Sequence, residues 1–87
     1  MHGLEKAIVY IVQSETSPEH FYVGMTNDVE ARLEWHNTGP SGHTRRYRPW
    51  RLLVSMKFRT EQAAVRFERY LKSGSGRAFA KRHFGVS

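Results

Sequence analysis

The stretch Ala7–Leu33, AIVYIVQSETSPEHFYVGMTNDVEARL, decides the fold. It holds two short runs of β-branched and aromatic residues, Ala7 to Gln13 and His20 to Gly24, and SETSPE between them supplies turn chemistry. That pattern predicts a β-hairpin. Tyr10 and Tyr22 lie equally far along the chain from Thr16, so a regular antiparallel register makes them near neighbours on one face. Two strand tyrosines can simply pack on a sheet with their hydroxyls in water, so the residues after the second strand are the deciding ones. Asn27 with Glu30 three residues on reads as a capping box for a helix running to about Asn37. At about 100° per residue, Val29, Arg32, Leu33 and His36 share one stripe. The leucine marks that stripe as inward, and a guanidinium placed there without a partner or a task is costly.

Around this stretch the chain reads in order. Met1 to Lys6 is a short lead-in, and Ala7 to Val12 is apolar on both faces, as a middle strand is. Gly24 ends the second strand, where positive φ or a close backbone approach calls for glycine. Thr38 to Gly42 is loop composition, and His43-Thr44-Arg45-Arg46-Tyr47-Arg48-Pro49-Trp50-Arg51 interleaves arginines with aromatics. Arginine forks neutralise phosphates and aromatic faces accept unstacked bases, although the aromatics can equally fold back on the core. In Trp50 to Phe58, Leu52, Val54, Met56 and Phe58 alternate with Arg51, Leu53, Ser55 and Lys57, which predicts an edge strand with one wet face. Thr60 caps a second helix to about Lys72, with Ala64, Phe67 and Leu71 inward and Glu68 on the margin of that stripe. A carboxylate there needs a cation: Arg32, Lys72 or a metal ion. Lys72 to Gly76 breaks the helix, and Ser75 caps a last one over Arg77 to Phe84 that docks Phe79, Ala80 and Phe84. Arg77, Lys81, Arg82 and His83 form a second basic cluster, either a solvated face or a nucleic-acid contact. The expected architecture is α+β, a three-stranded antiparallel sheet flanked by three helices in the order β-β-α-β-α-α.

Eighty-seven residues suit one domain spanning 1–87, able to bury roughly 60 to 65% of the surface its unfolded chain exposes. Fourteen Lys and Arg against eight Asp and Glu leave a formal charge of +6, the footprint of a polyanion partner. No basic amphipathic segment points to a membrane, so nucleic acid is the expected partner, DNA before RNA. Cysteine is absent, which excludes disulfides and thiolate metal sites. MHGLEKAIVY has no apolar stretch long enough for a signal peptide or a span, and a cytoplasmic location is the expectation.

Taken together, the triplets Ile8-Val9-Tyr10 and Tyr22-Val23-Gly24, then Arg32, His36 and Asn37, then a helical Glu68, resemble the GIY-YIG nuclease superfamily, in particular its small stand-alone bacterial members. The resemblance covers essentially the whole chain. It implies an endonuclease in which Tyr10, Tyr22, Arg32 and His36 are catalytic and Glu68 holds one divalent ion, Mg²⁺ or Mn²⁺. The acids agree, because Glu5, Glu15, Glu19 and Glu61 fall at a lead-in, a turn or a helix start, and Glu30 and Glu34 lie off the Arg32 stripe. It also implies that Tyr10 deprotonates or orients the water, with Arg32 and the ion lowering its pKa. Nucleic-acid contacts are expected from Asn37, His43, Arg45, Arg46, Tyr47, Arg48, Lys72, Arg77 and Lys81. The chain departs from the family pattern at Ile8, Val23 and Met25, and no Asn occurs beyond Asn37 to match the one other members carry after the glutamate. A protein partner for targeting and a monomer or weak dimer complete the expectation. The alternative is a non-catalytic nucleic-acid-binding module on the same fold.

Overall fold

In the computed structural model, which describes residues 7–40 and 42–85, the first apolar run becomes the centre of a three-stranded antiparallel sheet of order β2-β1-β3. β1 (Ile8–Ser14) lies between β2 (Phe21–Thr26) and β3 (Trp50–Lys57), and that position accounts for its lack of a wet face. Four helical segments complete the described residues: α1 (Val29–Thr38), α2 (Gly42–Arg45), α3 (Glu61–Leu71) and α4 (Gly74–Phe84). The three long helices keep the expected order. α2 is one added turn inside the arginine-rich loop.

The two faces of the sheet are covered differently. On one, Val9, Ile11 and Val23 meet Ala64 and Leu71 of α3 and Ala80 of α4, with Phe67, Phe79 and Phe84 packed around them. Burying each such aliphatic side chain stabilises the fold by about 1.5–3 kcal/mol. On the other face Tyr10, Val12 and Trp50 meet Leu33 of α1, with Tyr22 and Tyr47 alongside. This second face gathers the two hairpin tyrosines.

Three local expectations are corrected. The cap of α1 is Asp28, whose carboxylate accepts from the Ala31 N–H at 3.1 Å, and not Asn27. Thr26 is still strand and its hydroxyl accepts from the Asp28 N–H, so the helix starts one residue later than the capping box suggests. The cap of α4 is Ser73 rather than Ser75, with the Gly76 N–H donating to its hydroxyl at 3.2 Å. Both glycines after it are helical, and a Cβ on Gly76 would overlap the Tyr70 carbonyl, so glycine is needed where α4 abuts the end of α3. In β3 the alternation fails. A bulge opposite Ile11 and Val12 pairs Ile11 with Val54 but Val12 with Leu52. Leu53 therefore joins the α3 side with Val54, while Leu52 is left exposed and Trp50 reaches the α1 side.

Candidate active site

The hairpin brings the two tyrosines together through a glycine. Tyr10 lies directly opposite Gly24, and Tyr22 opposite Val12, so the phenols are diagonal neighbours on one face with ring centroids 6.4 Å apart. A Cβ on Gly24 would stand 2.6 Å from the Tyr10 hydroxyl and 2.9 Å from the Tyr22 ring. Gly24 has no positive φ; it is there to make room for the Tyr10 ring.

α1 delivers the inward stripe as expected. His36 is 1% exposed, and its Nε2 lies 2.8 Å from the Tyr10 hydroxyl. Its ring is hemmed by Tyr10, Tyr22, Trp35 and Trp50 at centroid distances of 5.8, 5.0, 5.2 and 6.3 Å. Burial in this aromatic cage, with the charges of Arg32 and then Arg48, pushes its pKa from 6.5 down to about 4. The imidazole is therefore neutral at pH 7. Its Nδ1 is buried without a hydrogen-bond partner, so either neutral tautomer leaves that nitrogen orphaned, at a cost of about 1–3 kcal/mol. Arg32 rests its guanidinium over the Trp35 ring, 5.1 Å from the centroid.

At Tyr10 the protein's own groups act upward on balance. Burial is the largest influence on its hydroxyl, and together with Tyr22 and Glu68 it raises the pKa well above the ordinary phenol value of 10 against the opposing pull of Arg32. Arg32 alone does not prepare a phenolate. The same balance shows that Glu68, reaching in from α3, is within electrostatic range of Tyr10. Its side chain is 17% exposed, and its carboxylate is ion-paired with Lys72 at 2.6 Å, not with Arg32. Lys72 and Arg77 line one cleft with Phe21, Tyr22 and Val23, which ties the end of α3 to the tyrosine hairpin.

Among the described residues no three His, Cys, Asp or Glu side chains gather into a metal cage. The donor set nevertheless fits a hard divalent ion. Glu68 offers a partly exposed carboxylate, and an ion bound there would keep water and substrate oxygens for most of its shell, the habit of Mg²⁺.

The expected nucleic-acid contacts divide. Arg45, Arg46, Lys72, Arg77 and Lys81 are exposed, and the side chain of His43 lies outside the described residues. Asn37 and Arg48 are engaged within the chain. The Asn37 amide donates to the Trp50 carbonyl at 3.0 Å and accepts from its N–H at 2.6 Å, fastening α1 to the edge strand. Arg48 donates to the carbonyls of His36 and Gly39, which hold its Nε and one Nη. Tyr47 folds back, stacked on His20 at 3.9 Å, and Trp50 is buried. Sequence reasoning passes over His20; the available signal is an imidazole two residues before Tyr22.

The sequence matches the family described as GIY-YIG catalytic domain over residues 6–82. A UPF0213 protein of Streptococcus agalactiae is 37% identical over 82 residues, covering 90% of this chain and 93% of its own. A UPF0213 protein of Haloquadratum walsbyi is 42% identical over 66 residues, with 75% and 72% covered. The structure-specific endonuclease subunit SLX1 of Scheffersomyces stipitis is 43% identical over 67 residues, covering 69% of this chain but 20% of its own length. The chain thus spans about a fifth of the SLX1 proteins it matches and nearly all of the S. agalactiae protein. It belongs to the GIY-YIG family, and its match to the catalytic domain takes in both tyrosine triplets, α1 and Glu68.

Proposed function

We propose that the chain is a divalent-metal-dependent endonuclease that hydrolyses DNA phosphodiesters, preferring single-stranded or branched DNA and having little sequence preference. The products carry 5′ phosphate and 3′ hydroxyl. The observation that carries this reading is the Tyr10–His36 hydrogen bond set within electrostatic range of both Arg32 and Glu68. Family membership supports a nuclease, and the SLX1 relatives' description as structure-specific endonuclease subunits supports both a structured DNA substrate and a targeting partner.

The residues divide the work. The Tyr10 oxygen accepts a hydrogen bond from the attacking water while its own proton is directed at His36 Nε2, so the phenol orients the water and relays its proton. Arg32 neutralises a non-bridging oxygen and Tyr22 hydrogen-bonds the phosphate. An arriving phosphate cancels the charge by which Arg32 depresses His36, and the imidazole becomes a better proton acceptor only when substrate is present. Glu68 would hold the divalent ion, which supplies positive charge for the departing 3′ oxygen. Lys72 must then release the carboxylate.

A binding module without catalysis is the second reading, favoured by the ammonium already seated on Glu68. Labelled single-stranded, duplex and branched oligonucleotides incubated with Mg²⁺, Mn²⁺ or EDTA separate the two. Ion-dependent cleavage of the single-stranded or branched forms is expected. Tight binding with no cleavage under any ion would establish the module instead.

A further inference from the structure

His20 and Tyr47 come from distant parts of the chain, yet their rings stack with centroids 3.9 Å apart and planes 19° from parallel. One buried residue fixes both. Ser14 donates its backbone N–H to the His20 carbonyl at 3.0 Å and its hydroxyl to the Tyr47 carbonyl at 2.7 Å, so the stack is held from behind by the central strand. The His20 side chain keeps 43% of its surface exposed, with Glu19 meeting only its Nε2 edge at 3.8 Å. One ring face lies on Tyr47, and the exposed part of the ring is open to solvent. The Arg46 guanidinium sits over the Tyr47 ring, 5.9 Å from the centroid. From Tyr47 the rings continue edge-on to Trp50 at 6.4 Å and on to His36 at 6.3 Å, which joins the exposed stack to the Tyr10–His36 pair.

We propose that the His20–Tyr47 stack is a nucleobase subsite, on which an unpaired base beside the scissile phosphate lies against the exposed face of His20 while Arg46 takes a neighbouring phosphate. The inference rests on the nuclease reading and adds to it the part of the substrate that is gripped. A flat ring fixed in place before binding loses little entropy on engagement, and any base can stack on it, which suits a site without sequence preference. It also disfavours intact duplex, whose bases are already stacked on each other.

The test uses single-stranded oligonucleotides carrying 2-aminopurine, titrated in EDTA so that no strand is cut, against the full chain and three variants at His20. Wild type should quench the fluorophore, and His20→Ala should bind about tenfold more weakly and lose the quenching. His20→Phe, which keeps a ring without a charge, should restore both, whereas His20→Lys should restore neither. Affinity of His20→Ala within twofold of wild type, or rescue by Lys and not by Phe, would overturn the subsite. Recovery by His20→Phe also separates a lost platform from a lost fold. Cleavage measured in parallel with Mg²⁺ keeps the two readings apart: quenching without cleavage strikes the nuclease alone, and cleavage with an unaffected His20→Ala strikes the platform alone.

Discussion

At His36 the environment sets a pH dependence whose sign is fixed. The folded protein holds this imidazole near 4 and the unfolded chain returns it to about 6.5. Between those values the unfolded chain binds a proton that the folded one refuses, so stability rises with pH across the window. The contribution is complete above about pH 6.5 and is lost as pH falls toward 4, roughly 3 kcal/mol at the limit. Melting temperature should fall steadily over that range, and His36→Gln should flatten the fall. Gly24 gives a second expectation. Tyr10 is buried and hydrogen-bonded to His36, so its ring has no free direction in which to yield to a new Cβ. Gly24→Ala should cost about 1–3 kcal/mol in urea unfolding and should lower cleavage by displacing the Tyr10 hydroxyl. The pair Tyr10 and His36 was legible from spacing and helical phase, because period two and a 100° step leave no other face for them. The direction of the Tyr10 pKa was not, since it depends on how much water the neighbouring rings exclude.

Elements were legible where periodicity was long and poorly legible where adjacent residues competed for one task. NDVE offers two cap formers in a row, and the strand decides between them by keeping Thr26. KSGSG offers two serines, and the clearance under Tyr70 decides by requiring a glycine at 76. Leu52-Leu53 hides the β3 bulge, because either leucine can fill an inward position and only pairing with β1 selects one. Asn37 looks like a surface amide in the sequence, yet it joins α1 to the start of β3 through both of its polar ends. Asn37→Ala removes two hydrogen bonds and should destabilise the protein by about 2–3 kcal/mol, while Asn37→Asp, which keeps the acceptor for the Trp50 N–H but sets a second oxygen against the Trp50 carbonyl, should cost at least as much. Chemical denaturation compares them directly.

Over the whole molecule, the two faces of the sheet differ in composition. The α3 and α4 face is closed by aliphatic and phenylalanine side chains, whereas the α1 face gathers phenols, indoles and an imidazole. Glu68 of α3 is linked to the tyrosine hairpin through its ion-pair partner Lys72, which lines a cleft with Tyr22 and Arg77. Among the described residues no helix is long and apolar enough to cross a membrane, and the formal charge of +6 remains available to a polyanion. If Arg45, Arg46, Lys72, Arg77 and Lys81 each neutralise a phosphate of a single strand, log affinity should fall with log salt at a slope of roughly −3 to −4. A flat salt titration would place the nucleic acid elsewhere.

On the proposed function, the Tyr10 phenol of the hairpin and the Glu68 carboxylate of α3 serve one reaction. Single-turnover cleavage of a branched oligonucleotide in Mg²⁺, by wild type, Tyr10→Phe, Glu68→Gln and the double variant, tests it most directly. Each single change should slow cleavage by about a hundredfold or more, and the double change should be scarcely worse than the poorer single, as for residues that act as a unit. A Glu68→Gln enzyme that cuts at the wild-type rate would contradict it, and so would losses that simply multiply in the double variant.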